Sequence, residues 1–148
     1  MPNITIPILI NNQPGLYTGP ILNGLPHGEG IFRSDIGNIY TGNFDHGVRQ
    51  GFGKLTTSKS TYIGEWYQDM RHGYGKYTSD AVYWEGVWEF DNFRYGSALY
   101  PSGRQAWGSW ESGKLHGYGG MVCRQWSYIG SWVDGMRSGF GSCVHADP

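Results

Sequence analysis

Only two cysteines, Cys123 and Cys143, occur in 148 residues, too few to staple a small secreted fold and consistent with a reducing compartment. No block of one charge exists either. Eleven Lys and Arg stand against 12 Asp and Glu, interleaved to a formal net charge of -1, so no nucleic-acid partner is expected. Long hydrophobic runs are also missing: the stretch Ile4 to Ile10 is broken by Thr5 and Pro7 and follows no basic start. It reads as neither a signal peptide nor a membrane span, and a soluble, cytoplasmic protein is expected. Leu and Val are scarce, which argues against a helical bundle, because such bundles need many aliphatic residues at helical spacing.

What the chain does hold is glycine and rings: 25 Gly, eleven Tyr, seven Trp and six Phe. Disordered chains lack aromatics, and this mixture favours strands joined by tight turns. A glycine flanked two residues away by an aromatic or apolar side chain recurs at Gly19, Gly42, Gly64, Gly86, Gly108 and Gly130, at intervals of 23, 22, 22, 22 and 22 residues. Periods of this length mark repeat architectures. The third unit is the fullest, with Tyr62-Ile63-Gly64-Glu65-Trp66, a turn, and then Gly73-Tyr74-Gly75-Lys76-Tyr77. Two departures stand out: Ala106 replaces the leading aromatic of the fifth unit, and Tyr95-Gly96-Ser97 replaces Gly-x-Gly in the fourth. The second predicts a hairpin slipped or bulged by one residue.

These units resemble the MORN repeat, whose pattern is close to Tyr-x-Gly-x-Trp-x-x-Gly-x-x-x-Gly-x-Gly. The resemblance covers residues 17–145 and divides them into six repeats, 17–39, 40–61, 62–83, 84–105, 106–127 and 128–145. Residues 1–16 are left as a lead with a capping strand and 146–148 as a tail, and no appended enzyme or anchor is expected. The expected fold is all-β, an elongated single-layer antiparallel sheet of tandem hairpins.

Alternation along a strand places the leading aromatic, the first glycine and the second aromatic of each unit on one face. On the returning strand, the Gly-x-Gly pair and the residue two beyond it (Phe32, Leu55, Tyr77, Leu99, Met121, Cys143) should share that face. A ring can then lie over the bare backbone of a neighbouring glycine. The opposite face, with Thr18, Asn43, Lys54, Glu65, Lys76, Ser109 and Ser131, reads as polar and wetted. Gly24, Gly47, Gly113 and Gly135, with Asp69 and Asp91 in the equivalent places, mark the turns. About 12 strands at about 4.8 Å would span roughly 55 Å, with Ile4 to Ile10 covering the first edge and Ala146, Asp147 and Pro148 ending the last.

Catalytic chemistry finds no support. His27, His72 and His116 each precede a Gly-x-Gly pair, but successive ones should lie about 20 Å apart and cannot share an ion. They read as turn residues of the repeat, and neither metal nor cofactor is expected. Cys123 and Cys143 should be about 10 Å apart and free. The carboxylates Glu65, Glu85, Glu89, Glu111 and Asp134 are dispersed and lack the apolar pocket of a general acid.

The expected role is a non-catalytic protein–protein interaction scaffold. Few rings of a single sheet should be fully covered, and twist should shape their face into a groove lined by Tyr40, Phe44, Tyr62, Trp66, Trp84, Trp88, Trp110, Tyr128 and Trp132. A partner segment, extended or helical, would lie along it. A homodimer is a further expectation. The family resemblance implies assembly into a cytoskeletal or ciliary complex. The alternative is peripheral binding of anionic phospholipids such as phosphoinositides, through turn cations Arg49, Arg71, Arg94, Lys114 and Arg137 on one rim, countered by Asp69, Asp91 and Asp134.

Overall fold

The computed structural model describes residues 3–145, and all of its regular structure is strand. One antiparallel sheet contains every element. Strand β1 (Asn3–Ile10) forms its first edge and pairs with β2 (Gln13–Leu22), from which the short β3 (Leu25–Pro26) turns back. Then come β4 (Gly28–Ser34), β5 (Ile39–Asp45), β6 (Val48–Thr56), β7 (Ser60–Tyr67), β8 (Met70–Ser79) and β9 (Tyr83–Glu89). The series ends with β10 (Asn92–Leu99), β11 (Gln105–Glu111), β12 (Lys114–Val122), β13 (Trp126–Val133) and β14 (Met136–His145), each hydrogen-bonded to its neighbours in sequence. The residues expected to end the last edge, Ala146 to Pro148, lie outside the described part.

Within each repeat the hairpin turns on two residues with left-handed φ: Asn23-Gly24, His46-Gly47, Gln68-Asp69, Phe90-Asp91, Ser112-Gly113 and Asp134-Gly135. Two consecutive positive φ angles give the turn whose twist matches that of the flanking strands. A bulge follows in every complete repeat. Between Gly64↔Gly75 and Trp66↔Arg71, the returning strand carries two more residues than its partner. Gly73, with φ 93°, absorbs them, because the left-handed region is costly for any residue with a Cβ. In the fourth repeat the interval from Phe93 to Gly96 is one residue shorter than that from Arg71 to Gly75. Tyr95 and Gly96 pair with the next strand as Tyr74 and Gly75 do, so the bulge is one residue short of its left-handed glycine, and the slip expected from sequence is present.

That slip moves one expected inward residue. Leu99 is exposed, and Ala98, opposite Trp84, is buried in its stead. The side chains otherwise follow the predicted alternation, with all the large buried rings on one face. No second layer covers them. The rings cover one another, and a cavity on this face collects side chains from Ile10 to Asp91, so the sheet is concave on its ring side.

Candidate functional site: a sealed ring ladder and two faces

The ladder begins with tyrosine on glycine. A Cβ added to Gly53 would stand 2.3 to 2.6 Å from the Tyr40 ring, and one on Gly75 2.2 to 2.5 Å from Tyr62. Gly30 under Tyr17 and Gly141 under Tyr128 repeat the arrangement. Lying flat lets each hydroxyl reach a backbone carbonyl three residues on: Tyr40 donates to Asn43 at 2.8 Å, Tyr62 to Glu65 at 2.9 Å. The tryptophans tie one repeat to the one before. Trp66 donates its indole N–H to the Gly53 carbonyl, Trp88 to Gly75, Trp110 to Gly96 and Trp132 to Gly119, at 2.9 to 3.3 Å. Tyr40, Trp66, Tyr62 and Trp88 then meet edge to face at 5.2 to 5.5 Å, the geometry that aromatic quadrupoles favour.

This packing overturns one expectation. Of the nine rings assigned to an open groove, Tyr40, Phe44, Tyr62, Trp66, Trp88, Trp110, Tyr128 and Trp132 are buried to between 1 and 6% exposure, and only Trp84 is half-buried. They are the core of the protein. Substituting Trp88 and Trp110 would therefore test folding before it tested binding.

Over the ladder sits a second layer of contacts, at one place per repeat: Pro26, Arg49, Arg71, Phe93, Leu115 and Arg137, each at the inward position just after the turn. Arg49 lies over Trp66 at 4.5 Å and Arg71 over Trp88 at 4.6 Å, a cation–π arrangement. Each arginine is also gripped by the next hairpin's turn. Arg49 donates its backbone N–H and Nε to Asp69 Oδ1 at 2.7 and 3.2 Å and its Nη2 to the Asp69 carbonyl at 2.8 Å. Arg71 and Asp91 repeat every bond. Where repeats four and five meet the repeats that follow them, the cation, the aspartate and the tyrosine vanish together: Phe93 and Leu115 take the arginine places, Gly113 and Gly135 the aspartate places, Trp84 and Ala106 the tyrosine places. Phe93 and Leu115 then fill the hollows of Gly96 and Gly119.

The expected basic row is thus corrected. Arg49 is buried in an ion pair, Arg71 is paired in the same way, and Arg137 lies over Trp126 and Tyr128 at 4.9 and 5.7 Å. Arg94 and Lys114 stand one residue away from the equivalent inward places, which Phe93 and Leu115 hold. These five residues therefore do not share one rim.

The histidines do more than populate turns. His27 Nδ1 accepts the backbone N–H of His46 at 3.3 Å, His72 Nδ1 that of Phe90 and His116 Nδ1 that of Asp134, both at 3.2 Å. Gln50 Oε1 serves Gln68 in the same way. A side-chain acceptor at this place thus clamps the next turn in four repeats.

The outer face is less polar than expected. Glu29 is the middle residue of the first Gly-x-Gly pair, but those of the other pairs, Phe52, Tyr74, Tyr118 and Phe140, are rings that are 61, 49, 67 and 96% exposed, and Tyr95 in the slipped repeat is 59% exposed. Tyr74, Tyr95, Trp107 and Tyr118 line one shallow depression with Glu85. Glu85 accepts hydrogen bonds from the hydroxyls of Tyr74 and Tyr83 and faces Lys76 Nζ at 3.8 Å. These bonds, Tyr74 first, hold its carboxyl below the usual range, the opposite of a general acid. Cys123 and Cys143 are free. Among the described residues no helix is long and apolar enough to cross a membrane.

A hairpin repeat whose core is a ladder of rings on glycine, with long exposed faces, defines a single-sheet repeat protein. The MORN repeat model matches residues 15–39, 40–61, 62–80, 108–127 and 128–147, and the chain belongs to the MORN-repeat family. The unmatched stretch holds the slipped fourth repeat. Alsin from Rattus norvegicus, Mus musculus and Homo sapiens is 31% identical over 143 residues, covering 86% of this chain. The chain spans 9% of the length of these relatives. MORN repeats are non-catalytic modules of protein or membrane interaction.

Proposed function

We propose that this chain is a protein–protein interaction scaffold that holds an extended or helical partner segment along its outer face. The observation that carries this reading is the file of exposed rings Phe52, Tyr74, Tyr95, Tyr118 and Phe140. Tyrosine and tryptophan are the commonest anchors of interfaces, and contiguous exposed apolar surface usually marks a contact. On a sheet, such rings recur about every 9.6 Å, two strand spacings. A segment that places one side chain per repeat can engage several of them together.

A second reading keeps the partner on the concave face. Two cavities support it, of about 330 Å³ over the first repeats and about 510 Å³ near Tyr100, Met121 and Trp126. Here the contacts would be the arginine layer and half-buried residues such as Leu55 and Tyr77 rather than the sealed rings. Nothing in the arrangement of the cations favours lipid headgroups. Placement in a cytoplasmic cytoskeletal or ciliary assembly belongs to the same proposal and rests on the family resemblance.

Affinity capture from the native cell with three baits tests both readings: wild type, Tyr74→Ser/Tyr118→Ser, and Leu55→Glu/Tyr77→Glu. Loss of the captured partner with the first variant alone supports the outer face. Loss with the second alone moves the site to the concave side. A partner retained by both folded variants overturns both.

A further inference from the structure

The junctions between hairpins are not alike. At the second and third, Arg49–Asp69 and Arg71–Asp91 join one repeat to the next. At the first, those places are held by Pro26 and Gly47, and only the backbone bond survives, Gly47 N–H to the Pro26 carbonyl at 2.8 Å. Beside this weaker junction three other side chains converge. His27 just before β4, Asp45 at the end of β5 and His46 in the turn offer one ligating atom each, all within 4.8 Å of one another. Asp45 Oδ1 lies 3.4 Å from His27 Nδ1 and 2.6 Å from His46 Nδ1, and the two imidazoles meet at 4.9 Å.

We infer that His27, Asp45 and His46 form a binding site for a divalent transition ion, with zinc the best match. Two imidazoles and a carboxylate are zinc's borderline ligand set, and bonds of about 2.0 to 2.2 Å in a tetrahedron place neighbouring ligand atoms roughly 3.3 Å apart. The His27–Asp45 separation already has this value, and the shorter His46–Asp45 contact opens to it. The 3.3 Å bond from His46 N–H to His27 Nδ1 is long and exposed, so its replacement by a metal bond costs little. With His46 61% and Asp45 48% exposed at the side chain, the fourth position faces solvent and takes water.

The site is particular to this junction. Its equivalents are Gln50, Tyr67 and Gln68 at the second, His72, Glu89 and Phe90 at the third, and His116, Val133 and Asp134 at the fifth. His116 also meets two carboxylates, but Nε2 faces Glu111 and Nδ1 faces Asp134, each at 3.6 Å, so those groups do not converge. The ion ties the first hairpin to the second where the Arg–Asp pair is missing.

Titration of the whole chain with zinc chloride, followed by calorimetry and by the imidazole resonances of His27 and His46, tests this. One ion per chain is expected, with a rise in Tm and both resonances perturbed. His27→Gln/His46→Gln should weaken binding by at least about tenfold. This variant folds, since Gln50 and Gln68 fill the same two places in the next repeat and preserve the backbone clamp. Asp45→Asn, on the surface, should give a similar loss. Absence of saturable binding, affinity unchanged in these variants, or abolition of binding by Cys143→Ser, which would move it to the Cys143–His145 pair, would each overturn the assignment.

Discussion

Trp66 donates its indole N–H to the carbonyl of Gly53, thirteen residues earlier and 3.1 Å away, while the ring of Tyr40 rests on that same glycine. One residue without a side chain thus receives a ring from its own repeat and a hydrogen bond from the next. Stability in a repeat array is a sum over nearest neighbours, and here the neighbour term is concentrated on a handful of atoms. The consequences can be measured.

Gly53→Ala and Gly75→Ala should be among the most damaging single-methyl changes. The added carbon meets a ring already packed on both sides, and overpacking costs about 3 kcal/mol at the upper end. At Gly37 in the exposed turn, a Cβ meets nothing within 4 Å, and only its positive φ of 93° is strained, about 1 to 2 kcal/mol. Urea unfolding of the three variants should give that order, and an equal loss at all three would refute the seat.

Trp84 and Trp88 separate ring from hydrogen bond. Trp88 Nε1 donates to the Gly75 carbonyl at 3.3 Å, whereas Trp84 Nε1 is buried with no partner. Trp88→Phe removes one donor from a buried carbonyl, and Trp84→Phe removes an unmet donor. The first should be more destabilising by about 1 kcal/mol or more. A reversed ranking would show that the indole bond contributes nothing.

The Arg49–Asp69 pair should be strongly non-additive. Asp69→Gly leaves a buried guanidinium without its carboxylate, at a cost of about 3 kcal/mol. Arg49→Leu together with Asp69→Gly matches the residues that stand at Leu115 and Gly135, so the double variant should recover most of the loss. A double-mutant cycle should read a coupling of about 1 to 3 kcal/mol. Simple additivity would mean that the pair is idle.

Alkali should unfold the protein through the ladder. Burial raises the Tyr40 and Tyr62 hydroxyls well above their ordinary value, partly opposed by Arg49 and Arg71. The folded state therefore keeps protons that the unfolded chain releases, and stability is lost as the pH rises above about 10, by up to roughly 1.4 kcal/mol per pH unit and group. Denaturation midpoints from pH 8 to 11 should fall for wild type and less steeply for Tyr62→Phe. Parallel curves would remove Tyr62 as a source of the pH dependence.

Much of this molecule was legible before any coordinates. A 22-residue period, glycine at fixed places and paired turn residues dictate hairpins, their order and the face on which the rings stand. The slipped fourth repeat was visible in Tyr95-Gly96-Ser97. A second signal lay in the same period: Phe52, Tyr74, Tyr118 and Phe140 are the middle residues of Gly-x-Gly pairs. Alternation alone sends them to the face read as polar.

Local pattern determined which backbone is extended, where it turns and which side chains share a face, because these follow from bonding geometry over a few residues. Tertiary structure decided whether the ring face stays open, and curvature together with edge-to-face packing sealed it. It also decided that Arg49 belongs to Asp69, twenty residues on, and that His27 meets Asp45 and His46. Contacts of this kind depend on how one hairpin leans against the next, a distance in space that no spacing along the chain encodes.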